Sequence, residues 1–398
     1  MKRQQPLHKR FVNHIAAVIG SLIGLNSKKT PFFYSSIGIL SLVLFVVGSQ
    51  AMSQKRTPNR QKVTSVAPAK PSFSLKEAGD FRVMFYNVEN LFDTYDDPHT
   101  NDNAFLPNGA MRWTNTRYYS HLRKTAQVIN AIGEWGTPAL CGLCEVENDT
   151  VLTHLLNRTP LREQYYNYCI TTGNDIRGIN VALLYQRDKF KYIGHASKRI
   201  PFTNKRKRSR DILHVWGEVI NGEWLDIFVC HFPSRAGGQK ETEPDRMDAS
   251  NFLRQLCDSI YLARCEPNII VMGDFNDNPS DKSVQQLINS ADKKHSLINL
   301  FSDPKKLNFY GSHKFQNEWS QLDQIIISVH WNQYLKAGSQ CIFAADFLLS
   351  KKNNRGEQSP LRVYSGPVYK NGYSDHLPVV VDFLLPTASK KNSSTIQR

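Results

Sequence analysis

The stretch Asn268-Ile269-Ile270-Val271-Met272-Gly273-Asp274-Phe275-Asn276-Asp277-Asn278-Pro279 turns from apolar to acidic within two residues. Asn268–Met272 is short, apolar and rich in Ile and Val, the composition of a buried strand. Gly273 lets the backbone approach a ligand closely. Asp274 and Asn276, two apart, share one side of an extended strand end. One offers a carboxylate, the other an amide that both donates and accepts. Such a pair can hold an attacking water and a phosphate oxygen together. In isolation, an Asx-rich turn closing a strand would read the same way.

Four further motifs stand at or near the ends of apolar runs: Asn87-Val88-Glu89-Asn90, Glu145-Val146-Glu147-Asn148, His231-Phe232-Pro233-Ser234-Arg235 and Ser374-Asp375-His376. Carboxylates, carboxamides and imidazoles at many strand ends suit a shared pocket for a divalent metal and a phosphate. Strands are expected at Phe81–Tyr86, Ala139–Cys144, Asn180–Tyr185, Leu213–Val219, Trp224–Cys230, Asn268–Met272, Asp323–Ser328 and Val379–Phe383. Helices are expected at Arg117–Ile132, Thr150–Asn157, Asp248–Ala263 and Asp281–Asn289. Asn221-Gly222 suits a tight hairpin turn. Hairpins mixed with strand–helix units argue for two sheets packed face to face with helices outside, an α/β architecture with no evident repeat.

Each motif carries a chemical expectation. Asn87, Glu145 and Asp375 are oxygen donors, which suit Mg²⁺, with Mn²⁺ or Ca²⁺ as other hard ions. His376 is a candidate general base, and a base needs a partner on its second ring nitrogen. Asp323 opens an apolar strand, a poor place for an unpaired charge, and is the candidate partner. His231 and Arg235, around a Pro turn, resemble a phosphate grip. Each of these residues has a plainer reading as a solvated strand end or a polar loop; their joint occurrence is the signal. The dense basic run Lys205-Arg206-Lys207-Arg208-Ser209-Arg210 reads by default as a solvated loop.

The formal charge of +15 does not by itself indicate a polyanion partner. Residues 1–76 hold 12 Lys and Arg and no acid, leaving 38 basic residues against 35 acidic ones. The excess belongs to a front segment in which Lys28-Lys29, the apolar run Phe32–Val47 and the small residues Gly48–Ala51 follow in the order of an export signal. Residues 1–52 are therefore read as an export signal, or as a membrane anchor if uncleaved. Residues 53–77 are read as a flexible linker, 78–386 as one catalytic domain and 387–398 as a disordered tail. The domain would lie outside the cytoplasm: periplasmic, secreted or anchored to the membrane. Seven scattered cysteines are an odd number, and Cys141-x-x-Cys144 lies inside an apolar run, so it reads as buried small hydrophobes rather than a metal or redox pair.

In this order, Asn87, Glu145, His231, Asp274-x-Asn276, Asp323 and Asp375-His376 resemble the endonuclease/exonuclease/phosphatase superfamily, whose members look like pancreatic deoxyribonuclease. The resemblance spans about Phe81 to Phe383, and Phe85–Asp93 and His231–Gly238 look like its exported bacterial branch. It implies a four-layer α/β sandwich, two packed mixed β-sheets flanked by helices, and a Mg²⁺-dependent phosphoesterase. Glu145 would be the main metal ligand, with Asn87 and Asp375 nearby. Asp274 and Asn276 would position water and phosphate. His376, held by Asp323, would serve as base or electrostatic partner, and His231 would contact the phosphate or the leaving oxygen. One departure stands out. A carboxylate usually supports that first histidine, and the matching position here is Asn180, with Asp175 as the nearest substitute.

The expected activity is hydrolysis of phosphodiester bonds in DNA or RNA, with nucleic acid as substrate and no protein partner inferred. Two alternatives stay open: a lipid or inositol phosphate phosphodiesterase, for which Phe343–Leu349 is the nearest candidate for an apolar membrane-entry hairpin, and a noncatalytic binding module.

Overall fold

Parallel strands need a crossover connection, and this chain makes two. In the computed structural model, which describes residues 78–386 except 134, 135, 353 and 355, β1 (Ala78–Leu91) and β2 (Leu140–Val146) run parallel, with α1 (Asn115–Gly133) between them in sequence. A second parallel pair, β7 (Trp224–His231) and β8 (Asn268–Asp274), is joined through α3 (Gln239–Ala263). The expected export or anchor segment, linker and tail lie outside the described residues.

Antiparallel strands complete each sheet. The first has the order β13 (Cys341–Ile342), β16 (Val379–Pro386), β1, β2, β4 (Asn180–Gln186), β3 (Tyr166–Ile170). The second has the order β5 (Phe190–Lys198), β6 (Ile212–Val219), β7, β8, β12 (Asp323–Ser328), β9 (Leu297–Asn299). Two short hairpins stand apart, β10 (His313–Phe315) with β11 (Glu318–Ser320) and β14 (Tyr364–Ser365) with β15 (Val368–Tyr369). Gly222, at φ 83°, turns β6 into β7 as the Asn-Gly pair predicts.

Side-chain alternation explains the layering. On β8, Ile270 and Met272 join the core shared with the first sheet, while Ile269 and Val271 join a second core with Leu253, Cys257 and Ile260 of α3 and Val284 and Leu287 of α4 (Lys282–Ile288). On β7, Ile227 and Val229 face inward and Phe228 and Cys230 face the helices. Helix α1 buries Leu122, Ala126 and Ile129 in the first sheet's core, and α2 (Asp149–Asn157) adds Val151, Leu152 and Leu155. The result is the four-layer α/β sandwich with two mixed sheets. The sheets pack closely at Gly142, where a Cβ would sit 2.5 Å from Met272 Sδ.

Some expectations need revision. Helix α3 begins at Gln239 rather than Asp248. Strands β3 and β5 carry no strong apolar signal, and much of β5 faces solvent. Phe343–Leu349 is not an exposed hairpin: Leu348 and Leu349 are buried, and Phe343 and Phe347 pack on the core. Cys141 and Cys144 are free thiols buried in β2, as expected of small hydrophobes. Among the described residues, no helix is long and apolar enough to cross a membrane.

Candidate active site

The inward rows of the second sheet run on past the core into polar side chains. His231 follows Val229 by two residues, and Asp274 follows Met272 by two, so both keep the inward face. Sheet register then sets His231 opposite Asp274 and Asp274 opposite Asp323, three site residues in one row across β7, β8 and β12. His376 reaches this row from the loop before β16. Ser374 holds that loop in place: its Oγ donates to Asn87 O at 2.7 Å and accepts from His376 N at 3.0 Å.

Asp274 is the hub. Its Oδ2 accepts from Asn87 Nδ2 at 3.1 Å and lies 3.5 Å from His231 Nε2 and 3.8 Å from His376 Nε2. His376 Nδ1 donates to Asp323 Oδ2 at 2.7 Å, the pairing expected for an oriented imidazole. Burial works against charge on His376, but the carboxylates of Asp323, Asp274 and Asp375 outweigh it and hold the ring well above its ordinary range. Burial pushes the Asp274 carboxyl up, with His376 opposing. His231 goes the other way. Burial, then the guanidiniums of Arg210 and Arg177, press its pKa well below the usual value.

No carboxylate supports His231 Nδ1, a buried atom with no hydrogen-bond partner among the described residues. Asn180 is spent on the backbone, donating to Glu147 O at 2.7 Å and accepting from Gly173 N at 2.9 Å. Asp175 is paired instead with Arg210 at 3.2 Å and Arg177 at 3.4 Å. Arg210, the last residue of the basic run, is thus buried beside the site rather than solvated.

Glu145 reaches the site through a distortion. Asn87 pairs with Cys144, so in a regular strand Glu145 would point to the opposite face. The register shifts after Cys144, and Glu145 adopts φ 63°. Its Oε1 then lies 3.5 Å from Asn87 Nδ2, and its Oε2 accepts from Asn90 N at 2.8 Å. Glu89, Asn90 and Asn276 share this left-handed backbone, at 51°, 52° and 49°. Such non-glycine conformations cost roughly 1–3 kcal/mol each and cluster at functional sites.

Three acids converge here. Burial and then Asp375 push Glu89 up to about 8, despite its acceptance from Val363 N at 2.8 Å. Burial also raises Glu145, with Asp375 adding to it. Arg362 bonds Asp375 at 2.7 Å and lies 3.9 Å from Glu89. Glu89 and Glu145 are withdrawn from solvent, Asp375 is half-buried, and oxygen donors of this kind suit a hard divalent cation. Asn87 turns its NH₂ to the carboxylates, while its Oδ1 accepts from Glu89 N at 3.0 Å. Two trios offer ligand atoms within 4.8 Å of one another: Asp274 with Asp323 and His376, and Asp375 with His313 and His376.

Asn276 adjoins the hub, its N donating to Asp274 Oδ1 at 2.9 Å. Arg235 is committed to Asn276 O at 2.6 Å, Asp277 at 3.2 Å and Asp281 at 2.8 Å, although it still borders the cleft. Asn276 Nδ2 donates to Phe232 O at 3.0 Å. Glu147 turns away to accept from Asp93 N at 2.6 Å. The cleft in front of these groups has a volume of about 760 Å³ and is bordered by Asn276, Asp375, Arg362 and His313. His313 and Arg362 carried no signal in the sequence. His313 lies against His376 with the rings tilted at 39° and their centroids 4.6 Å apart, and burial lowers its pKa to about 4.

Residues 82–384 match the sequence family described as the Endonuclease/Exonuclease/phosphatase family. The chain belongs to this family. Members of the endonuclease/exonuclease/phosphatase family are hydrolases of phosphate esters and are generally dependent on divalent metal. The fold is similar to that of a Bacteroides thetaiotaomicron protein of the same family, at 15% identity over 80% of this chain and 99% of that one, with a TM-score of 0.48. A mannosyl-6-phosphatase from the same organism is 16% identical over 76% of this chain and 99% of its own, with a TM-score of 0.49. The human Nocturnin catalytic domain is 17% identical over 78% and 98%, with a TM-score of 0.47. The assignment rests on the family match rather than on these distant structures. No curated protein matches the chain.

Proposed function

We propose that this chain is an exported or membrane-tethered, Mg²⁺-dependent phosphodiesterase that cuts DNA or RNA internally. The observation that carries the catalytic reading is the meeting of Glu145 and Asn87, from one sheet, with the His231–Asp274–Asp323 row and His376. The export reading rests on the sequence of residues 1–52.

Glu145 and Asp375 would hold the ion, and Asn87 would join them only with its amide turned to bring Oδ1 toward the carboxylates. When bound, it supplies positive charge to the scissile phosphate and its departing oxygen. The rest falls to the protein's own groups. Asp274 orients the attacking water in line with the ester, and its carboxylate is the nearest acceptor for that water's proton. His376, kept charged by Asp323, Asp274 and Asp375, faces the developing negative charge on phosphorus. His231 is neutral and donates from Nε2 to a phosphate oxygen, so its Nδ1 needs no acceptor. Asn276 limits the phosphate's position at the strand end. Positioning and charge of this kind are what phosphate-ester hydrolysis requires.

The test is incubation of the full chain with plasmid DNA and structured RNA, with Mg²⁺ and with excess chelator. Nicking or cleavage that needs the metal supports the reading. Intact nucleic acid in both conditions, alongside hydrolysis of a chromogenic phosphodiester, would leave a phosphodiesterase of other substrate. The mature N-terminus, read by mass spectrometry, tests cleavage against anchoring.

A further inference from the structure

The hairpin β10–β11 stands beside the cleft as a wall with two different faces. Its register sets His313 opposite Ser320, Lys314 opposite Trp319 and Phe315 opposite Glu318. Alternation therefore sorts these pairs to opposite sides. His313, Phe315, Glu318 and Ser320 border the catalytic cleft. Lys314 and Trp319 border a second hollow of about 410 Å³.

That hollow is built of aromatic faces with polar edges. Tyr310 is 80% exposed and its ring lies roughly parallel to Trp319, with centroids 6.4 Å apart at 29°. Phe309 packs edge-on against Trp319 at 5.1 Å and is itself packed on the main core, which backs the platform. Lys314 Nζ sits 5.7 Å over the Trp319 ring and donates to Gln358 O at 3.1 Å. Lys352 and Glu357 complete the rim. Exposed rings in a concave, ammonium-edged hollow suit a flat heteroaromatic group that carries an anion, because each base offers a π face and each linkage a phosphate. An acyl chain would leave the ammonium and amide edges unmatched.

We propose that this second hollow binds an unpaired nucleobase of the same strand whose phosphodiester lies in the catalytic cleft, a proposal that rests on the nuclease reading above. The hollow and the cleft are separated by one hairpin with its side chains, roughly 10 Å. A span this short can be crossed by a few nucleotides of one unpaired strand. Phe315, 64% exposed on the cleft side, is where the strand passes over the wall. Bases in a duplex are stacked on each other and cannot enter, so the hollow selects single-stranded or locally opened substrate.

The test compares the full chain with Trp319→Ala and Tyr310→Ala on a dinucleotide, a longer single-stranded oligonucleotide and a chromogenic phosphodiester. Oligonucleotide affinity is also measured by fluorescence anisotropy in excess chelator. The expected result is a parent that favours the longer oligonucleotide. Each variant loses about tenfold in kcat/KM and in affinity on it, with the chromogenic rate unchanged. Variants that match the parent on the oligonucleotide, or that lose equally on the chromogenic ester, overturn the proposal and leave the nuclease reading intact. Loss of binding to anionic phospholipid vesicles in place of oligonucleotide overturns it in favour of a membrane surface. A parent that hydrolyses the chromogenic ester but no oligonucleotide of any length overturns the nuclease reading itself, and this proposal with it.

Discussion

His376 Nδ1 donates to Asp323 Oδ2 at 2.7 Å, joining the loop before the last strand of one sheet to the first residue of a strand in the other. The bond spans the inter-sheet interface at the hub of the site. It is also an ion pair almost wholly withdrawn from solvent, so removing one partner strands the other. Asp323→Asn should therefore lower kcat on a chromogenic phosphodiester by about 10²-fold with little change in KM. An unchanged kcat in a variant with the parent's melting profile would refute the orienting role.

Asp274 lies within 3.8 Å of Asn87, His231 and His376, so Asp274→Ala should cost about 10²–10⁴-fold in kcat. The double variant Asp274→Ala with Asp323→Asn should be far less impaired than the product of the single losses, because both disable one assembly. Single-turnover rates for the three variants check this, and simple multiplication of the losses would count against a shared role.

Divalent ions should act on stability as well as rate. At one hundred times its Kd, an ion bound only by the folded state adds about 2.7 kcal/mol. Mg²⁺ should raise the melting temperature of the parent, chelator should reverse the rise, and Glu145→Ala should abolish it. An equal rise in parent and variant would place the ion elsewhere.

His121 supplies a pH dependence away from the site. It is buried in α1 with Nε2 2.8 Å from Val88 O, and burial lowers its pKa from 6.5 to about 4. The folded state thus favours the neutral ring. Between these values the unfolded chain binds the extra proton, so stability is fully present above about 6.5 and falls as pH drops toward 4. The loss from this one group is about 3 kcal/mol. Urea unfolding should show a shallower acid loss in His121→Gln, which keeps a donor but cannot titrate. An identical slope would reject the assignment.

Gly142 leaves no room for a side chain between the sheets. Gly142→Ala places a Cβ 2.5 Å from Met272 Sδ and 3.0 Å from Phe85 Cδ2. It should destabilise by about 1–3 kcal/mol, and Met272→Val in the same chain should recover part of that. Additive losses in a denaturant cycle would show that the two side chains do not compete for the space.

Much of the sandwich is legible in the chain because buried strands declare themselves through uninterrupted Val, Ile and Leu. Asp323–Ser328 forms as expected for that reason, and the strand expected at Asn268–Met272 forms and continues to Asp274. The start of α3 does not, since only Met247 and Pro244 are apolar between Gln239 and Asp248 and no helical period can show. Strand β5 hides likewise, being stabilised by its pairing with β6 rather than by a buried face.

The residue types able to hold a metal and a phosphate were present in the sequence, and the order Asn87, Glu145, His231, Asp274, Asn276, Asp323, Asp375 and His376 could be read there. What each one touches belongs to the tertiary structure. The bulge and left-handed backbone that swing Glu145 toward Asn87 arise where β2 shifts register against β4 within one sheet. The commitment of Arg235 to Asp277 and Asp281, and the arrival of His313 from β10 and of Arg362 from a distant loop, have no counterpart in local spacing. Composition and period record how a segment buries itself. Hydrogen bonds between residues scores or hundreds of positions apart exist only once the chain has closed on itself.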